Sequence, residues 1–202
     1  MSRVLVAFAT SSGSTAEVAK AIGEELAQAG LDVDVAAIRD VRDLAGYDAV
    51  VVGAPMILGW HRDGKRFLRE HRRTLQRLPL AVFVMGMSLT RTKDEALGVP
   101  VVLDSELPRP PRVEGRLDLR ERYARLSTYL KPILKAARPA SPVSVGVFGG
   151  RLEYGRLRWW AVLFAMVVIR AEARDRRNWP AIRAWAASLP AAFRLEEAKK
   201  PV

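Results

Sequence analysis

The sequence predicts an α/β fold built on a doubly wound parallel sheet of five strands, in the order 2-1-3-4-5. Apolar runs of strand length alternate with helical patterns, which is typical of a parallel sheet covered by helices on both faces. The predicted strands span residues 4–9, 33–37, 50–53, 80–87 and 143–148. In this topology ligands bind at the carboxyl ends of the strands, near the switch between strands 1 and 3.

Four helices are predicted around these strands, and residues 1–202 are expected to form a single domain. The first helix begins near Thr15, where Ser14 and Glu17 have capping-box spacing, and Gly30 is expected to close it. The other helices are predicted over residues 64–78, 117–137 and 178–193.

Two segments are additional to this pattern. Residues 88–115 contain four prolines and show no clear periodicity, which predicts a long loop. Residues 151–177 place arginine-rich ends around an apolar run, and they are predicted to form a basic and apolar insert before the last helix.

The composition excludes several kinds of site. Because the chain has no cysteine, disulfides, cysteine-ligated zinc, iron–sulfur clusters and thiol catalysis are excluded. Only two histidines are present, so we expect no metal site. The apolar run at 159–169 is about half of the ~20 residues that a membrane-spanning helix needs. Since the N-terminus enters a strand without a signal-peptide pattern, a cytoplasmic protein is expected.

The net charge of +11 suits an anionic partner. Residues 1–54 are mildly acidic, whereas arginines dominate from about residue 109 to residue 183. That basic region lacks interleaved surface aromatics and any nucleic-acid-binding motif, so nucleic acid is not expected as a partner. The remaining candidates for the anionic partner are a membrane surface, a carboxylate-bearing substrate and an acidic protein.

The turn between the first strand and the first helix has the composition of a phosphate site. Backbone N–H groups and the helix dipole favour an anion at a helix N-terminus, and hydroxyls add further donors. Because the turn contains no lysine, it indicates a cofactor phosphate that is held rather than transferred. A serine-rich turn that only caps the helix is the alternative. Its residues are Thr10, Ser11, Ser12, Gly13, Ser14 and Thr15.

The loops after the third and fourth strands leave the same edge of the sheet as this turn. Apolar side chains on an exposed loop are uncommon unless they cover something, and a flat aromatic ring would be a good match. Gly86 would allow a ligand to approach the backbone, and the alternative for Trp60 is packing on the following helix. The candidate residues are Pro55, Met56, Ile57, Leu58, Gly59, Trp60, Met85, Gly86, Met87 and Ser88.

The three loops occur in order on consecutive strand–helix units, and in this arrangement they resemble the cofactor-binding loops of the flavodoxin family. The first loop meets the family pattern Thr/Ser-x-Thr/Ser-Gly-x-Thr at Thr10, Ser12, Gly13 and Thr15. The resemblance implies a flavodoxin-like fold with FMN as cofactor, its phosphate in the first loop and its isoalloxazine ring between the other two. One departure is that flavodoxins acting as mobile carriers are strongly acidic, whereas this chain is basic.

The insert before the last helix resembles one particular group of flavodoxin-like proteins. Residues 150–159 fit G-x-L-x-Y-x-R-x-R-W, which is similar to the segment after the fifth strand in the menaquinone-dependent protoporphyrinogen oxidases. That likeness implies oxidation of protoporphyrinogen IX in haem synthesis, with a quinone as acceptor at the cytoplasmic membrane face. The expected substrate or membrane contacts are Arg151, Tyr154, Arg156, Arg158 and Trp159. The apolar run could instead complete the core or a dimer interface.

The sequence therefore predicts an FMN-dependent oxidoreductase of the protoporphyrinogen oxidase type, acting on a porphyrinogen or another anionic small molecule. We expect a cytoplasmic protein that is peripheral on the inner membrane, while a homo-oligomer stays open. The alternatives are an FMN electron-transfer protein that docks on a redox partner and a flavodoxin-like scaffold without flavin. No catalytic acid or base is identified.

Overall fold

The computed structural model describes residues 1–56, 59–92, 97–151 and 175–195. Its main strands are β1 (Arg3–Phe8), β2 (Asp32–Ala37), β3 (Ala49–Pro55), β4 (Leu80–Gly86), β6 (Val101–Leu103) and β8 (Ser144–Gly149). These six strands form one parallel sheet in the order β2-β1-β3-β4-β8-β6. The short strands β5 (Leu89–Thr90) and β7 (Pro108–Arg109) pair with each other.

The five predicted strands are present in the predicted order, which is confirmed as β2-β1-β3-β4-β8. The expectation of a loop throughout residues 88–115 is wrong, because β6 lies within that segment and extends the sheet. Val101 pairs with Val145 and Leu103 with Val147, so β8 is flanked on both sides. A strand of three residues directly after Pro100 is too short to produce a periodic pattern.

Two of the predicted helices are each divided in two. The helices are α1 (Ser14–Gln28), α2 (Arg62–Glu70), α3 (Arg72–Leu75), α4 (Leu119–Tyr123), α5 (Leu126–Ala137) and α6 (Trp179–Phe193). A turn at His71 separates α2 from α3, and Ala124 and Arg125 separate α4 from α5. A capping box between Asp118 and Glu121 begins α4, with both hydrogen bonds at 2.8 Å.

Helices cover both faces of the sheet, as the apolar strands predict. On β1, Val4 and Val6 face one layer while Leu5 and Ala7 face the other, because side chains alternate along a strand. The first layer is packed by apolar residues of α1 and α6, namely Val18, Ile22, Leu26, Ile182, Trp185 and Leu189. The second layer is packed by the loop before α2 and by α2, α3 and α5, through Trp60, Phe67, Leu68, Leu75, Leu130 and Ile133.

The start of α1 differs from the expected capping box. Gly13 is the N-cap residue, in a left-handed conformation with φ of 91°, and no side chain accepts a hydrogen bond at this cap. A positive φ of this size favours glycine over any other residue. The N–H of Gly13 donates instead to Oγ1 of Thr10 at 2.8 Å, which closes the turn. The carboxylate of Glu17 turns away to two arginines.

Candidate functional site

A pocket lies at the carboxyl ends of β1, β3, β4 and β8, where the predicted loops meet. The hydroxyl-rich turn contributes one wall, the loops after β3 and β4 contribute apolar side chains, and the end of β8 closes the remaining side. Its lining comprises Ser11, Ser12, Ser14, Thr15, Pro55, Met56, Met85, Met87, Gly150 and Arg151. The topology thus brings together segments that are far apart in the sequence.

The first wall of the pocket is the N-terminus of α1. The first N–H groups of a helix have no partner within the helix, so they favour an anion placed at this end. Ser14 and Thr15 are buried in the first turn, while Ser11 is exposed and Ser12 is half-buried. Thr10 lies outside the lining, and its hydroxyl accepts the hydrogen bond from Gly13 that closes the turn.

Thr15 carries a buried hydroxyl whose oxygen makes no hydrogen bond within the protein. The residue is 0% exposed and lines the pocket. A buried hydroxyl without a partner costs free energy, so such groups are uncommon unless a ligand or a water meets them. The donor set therefore fits a phosphate at this wall.

Trp60 lies in the core and outside the pocket lining. It is 2% exposed, and its Nε1 donates to the carbonyl oxygen of Ala54 at 3.1 Å. The ring lies on α2, because a Cβ atom added at Gly64 would come within 2.9 Å of it. This packing is the alternative interpretation of the loop, and it takes the tryptophan out of the candidate site. Gly59, with φ of 95°, lies in the same loop, whereas Ile57 and Leu58 lie outside the described residues.

The end of β4 and the loop that follows it bring Met85 and Met87 to the pocket, Met85 from within the strand and Met87 from the loop. Gly86, between them, was expected to allow a ligand to approach the backbone. In the structure its neighbour is Tyr129, because a Cβ atom at Gly86 would lie 3.3 Å from the ring of that tyrosine. The Tyr129 hydroxyl donates to the carbonyl oxygen of Ser88 at 2.8 Å, and burial raises the pKa of Tyr129 to about 12. Tyr129 is therefore a neutral brace for this loop at physiological pH.

The end of β8 forms another wall of the pocket, through Gly150 and Arg151, and this segment was expected from the sequence to meet substrate or membrane and not the cofactor. The N–H of Gly150 donates to the carbonyl oxygen of Gly86 at 2.8 Å, which joins this wall to the loop after β4. Gly149 is in close contact with Arg176, because a Cβ atom there would overlap the carbonyl group of Arg176. The paired glycines directly after the last predicted strand were the available signal.

The described ends of the insert, Arg151 and Asp175, form an isolated antiparallel bridge. Arg177 donates to Asp175 at 2.5 Å and to Glu17 at 2.6 Å, and its guanidinium lies 4.6 Å from the centre of the Trp179 ring. The hydrogen bonds from Arg177 lower the pKa of Asp175. The base of the insert is thereby attached to the first turn of α1.

Arg151 lies beside the hydroxyl-rich wall, with its Nη2 atom 3.4 Å from Oε1 of Glu17. The other residues expected to contact substrate or membrane lie outside the described residues, namely Tyr154, Arg156, Arg158 and Trp159. Across the ranges that the structure does describe, no helix has the length and apolarity needed to span a membrane.

Comparison with known proteins agrees with this geometry. The flavodoxin domain model matches residues 5–177 of the chain. The protoporphyrinogen IX dehydrogenase (quinone) of Escherichia coli strain K12 is 25% identical over 161 residues, which cover 78% of this chain and 74% of that protein. The protein of the same name from strain O157:H7 matches with the same values.

Solved structures show the same fold. A flavodoxin from the domain Archaea has a TM-score of 0.51 at 12% identity, with 95% of this chain and 99% of that chain covered. The rubredoxin oxygen:oxidoreductase of Desulfovibrio gigas has a TM-score of 0.50 at 14% identity and covers 97% of this chain. This chain spans only 37% of that protein's length. Because the flavodoxin model covers most of the sequence, the chain belongs to the flavodoxin domain family, whose cofactor is FMN.

Proposed function

We propose that this protein is an FMN-dependent oxidoreductase that oxidises a porphyrinogen to the porphyrin, with loss of six electrons and six protons, and reduces three quinones to quinols. The observation that carries the proposal is the 25% identity with protoporphyrinogen IX dehydrogenase (quinone), spread over 78% of the chain. The basic composition supports it, because a porphyrinogen is an anion and flavodoxins that act as mobile carriers are acidic.

The residues of the pocket divide into two groups under this proposal. Ser12, Ser14 and Thr15, together with backbone N–H groups of the first turn of α1, would hold the phosphate. Met56 and Met85 would lie against the flavin ring, since thioether sulfur makes favourable contacts with aromatic rings. When bound, FMN supplies the electron chemistry, and the protein supplies binding, orientation and electrostatics.

The test is turnover by the FMN-loaded protein with protoporphyrinogen IX and a menaquinone analogue. The proposal predicts quinone-dependent formation of protoporphyrin, measured by its fluorescence, at a rate well above that of the same concentration of free FMN. A rate equal to that of free FMN would remove the enzymatic assignment. Rapid electron exchange with an added redox protein in the same preparation would then favour the electron-transfer alternative.

A basic face on α2 and α3 supports peripheral contact with an anionic membrane, where a quinone is available. Phe67 and Leu68 of α2 are buried in the core, and the opposite side of the helix is exposed to solvent. Anionic lipid surfaces attract such clusters of basic side chains. The exposed arginines of these two helices are Arg62, Arg66, Arg69, Arg72 and Arg73.

Sedimentation with lipid vesicles tests this contact. The wild-type protein is expected to sediment with vesicles that contain phosphatidylglycerol and to stay in solution with phosphatidylcholine alone. The double variant Arg62→Gln/Arg69→Gln should bind about thirtyfold more weakly, because each basic residue near the surface contributes about 1 kcal/mol. Lys20→Gln/Arg183→Gln removes the same charge from α1 and α6, on the opposite face of the sheet, and is the matched control. Equal binding by both double variants would exclude the α2–α3 face.

A further inference from the structure

We propose that the guanidinium of Arg151 binds the cofactor phosphate directly, as the cationic member of a site whose other donors are neutral. The proposal rests on the FMN site described above and is independent of the choice of substrate. It also gives Arg151 a different role from the substrate or membrane contact expected from the sequence.

The position of Arg151 is the first support. It follows Gly150 at the end of β8, yet its side chain reaches the N-terminus of α1, where Nη2 lies 3.4 Å from Oε1 of Glu17. It lines the same pocket as Ser12, Ser14 and Thr15. A guanidinium so placed can meet a phosphate held at the helix N-terminus.

The charge balance of the site is the second support. A phosphate monoester carries about −1.5 to −2 charges at neutral pH. The turn at residues 10–15 has no basic residue, and Glu17 places a negative charge in the first turn of α1. Arg177 already pairs with Glu17 at 2.6 Å, so the guanidinium of Arg151 can turn to an anion in the pocket. Such a guanidinium would add charge-assisted hydrogen bonds to those of the hydroxyls and backbone N–H groups.

Among the described residues, Arg151 and Arg177 both reach Glu17, and of these two Arg151 is the one that lines the pocket. Arg177 is 4% exposed, is hydrogen-bonded to both Asp175 and Glu17, and stacks on Trp179. Its strong pairing with Asp175 raises its pKa further above the usual value, which keeps it charged and engaged. The side chain of Arg151 is 22% exposed and lines the pocket.

The backbone around Arg151 is held on several sides, which fixes where its side chain starts. Gly150 donates to Gly86 at 2.8 Å and accepts from the N–H of Arg176 at 3.0 Å. Residue 151 is itself paired with Asp175. Because the guanidinium is also held beside Glu17, the side chain loses less freedom on binding than an unpaired arginine would, which favours affinity.

The experiment compares FMN with riboflavin, which lacks the phosphate, by quenching of flavin fluorescence on binding. Arg151→Gln is expected to weaken FMN binding about ten- to a hundredfold, the usual effect of losing one charge-assisted hydrogen bond, and to leave riboflavin binding unchanged. Rising salt should weaken FMN binding by the wild type more than by this variant.

The control is Arg183→Gln, which removes an arginine that pairs with Glu25 at 2.6 Å toward the other end of α1. It should bind FMN as the wild type does. Arg151→Lys keeps the charge but loses the bidentate hydrogen-bonding geometry of the guanidinium. Its affinity for FMN should lie between those of the wild type and Arg151→Gln, while its affinity for riboflavin should be unchanged. This variant tests the proposal if Arg151→Gln does not fold.

Two results would overturn the proposal. The first is an FMN affinity that is unchanged in Arg151→Gln, or in Arg151→Lys if only that variant folds. The second is an equal loss of affinity for FMN and for riboflavin, which would indicate a structural role for Arg151. Either result leaves the FMN site itself in place. A wild-type protein that binds neither flavin contradicts the proposed function as well, so the two failures are distinguishable.

Discussion

Thr15 is a residue whose local chemistry is incomplete without a ligand. Its oxygen is buried at the pocket wall and accepts or donates no hydrogen bond within the protein. Burying a hydroxyl in this state costs about 1–3 kcal/mol of folding free energy. A phosphate oxygen at the helix N-terminus would recover that cost on binding, so the side chain favours the loaded state.

Removal of the Thr15 hydroxyl is expected to weaken FMN binding without destabilising the flavin-free protein. Thr15→Val should weaken FMN binding about tenfold, because a hydrogen bond to a charged group is lost. The flavin-free variant should unfold at a higher urea concentration than the wild type, since the cost of the buried hydroxyl is removed and no protein hydrogen bond is lost. Fluorescence titration and urea unfolding measure the two effects.

Thr10→Val is the matched comparison at the other end of the turn. Its hydroxyl accepts a hydrogen bond from Gly13, so that variant should lose stability in the flavin-free protein. If Thr15→Val were destabilised as much as Thr10→Val, the hydroxyl of Thr15 would have a structural partner and the argument for a ligand there would be lost.

The different roles of these hydroxyls could not be predicted from the sequence. Thr10 and Thr15 are equivalent in the motif, but in the structure the hydroxyl of Thr10 accepts from Gly13, whereas the hydroxyl of Thr15 is buried in the pocket lining without a partner. Trp60 is a similar case, because an apolar loop residue can cover a ligand or enter the core. Gly64, four residues later, is the signal that the ring lies on α2.

At the scale of elements, Asp104 joins β6, β8 and the start of α6. It is 1% exposed and accepts hydrogen bonds from Gly149 N–H at 3.3 Å, from Asn178 Nδ2 at 3.0 Å and from Glu106 N–H at 3.0 Å. The additional strand therefore does more than extend the sheet, because it also holds the wall of the pocket formed by the end of β8.

Asp104→Ala is predicted to lower the free energy of unfolding by about 1–3 kcal/mol, since the buried N–H of Gly149 and the half-buried amide of Asn178 lose their acceptor. Urea unfolding of the flavin-free protein is the measurement. Asp104→Asn keeps one oxygen acceptor and should lose less. Wild-type stability in the alanine variant would show that β6 does not hold this wall.

The base of the insert is predicted to be sensitive to acid. Hydrogen bonds from Arg177 lower the pKa of Asp175 in the folded protein, so its carboxylate adds stability at neutral pH. That contribution is lost as the pH falls below the ordinary carboxyl pKa of about 4 and through the lowered value. Wild type should therefore be more stable than Asp175→Asn at pH 7, and the difference should shrink toward acid pH.

Unfolding by urea at several pH values measures that difference. Asp40→Asn is the control, because Asp40 is exposed and lies 3.8 Å from its neighbour Arg39. A wild-type advantage over Asp175→Asn that stays constant down to strongly acid pH would mean that the ion pair does not stabilise the base of the insert.

For the whole molecule, the sequence was sufficient for the order of the five main strands and for the edge at which the pocket forms. Long apolar runs such as those of β3 and β4 carry that information locally. The β6 strand and the contact of Arg151 with Glu17 depend on pairing between distant residues, which no local pattern records. The capping box expected at Ser14 failed for the same reason, since Glu17 is engaged by Arg177.

The central claim is that the pocket at the carboxyl ends of the strands binds FMN through its phosphate. Titration of the purified, flavin-free protein with FMN and, separately, with riboflavin tests it most directly. The account predicts saturable binding of one FMN per chain, with riboflavin binding at least about tenfold more weakly because it lacks the charged phosphate. Equal affinity for the two flavins, or no binding of FMN, would contradict it.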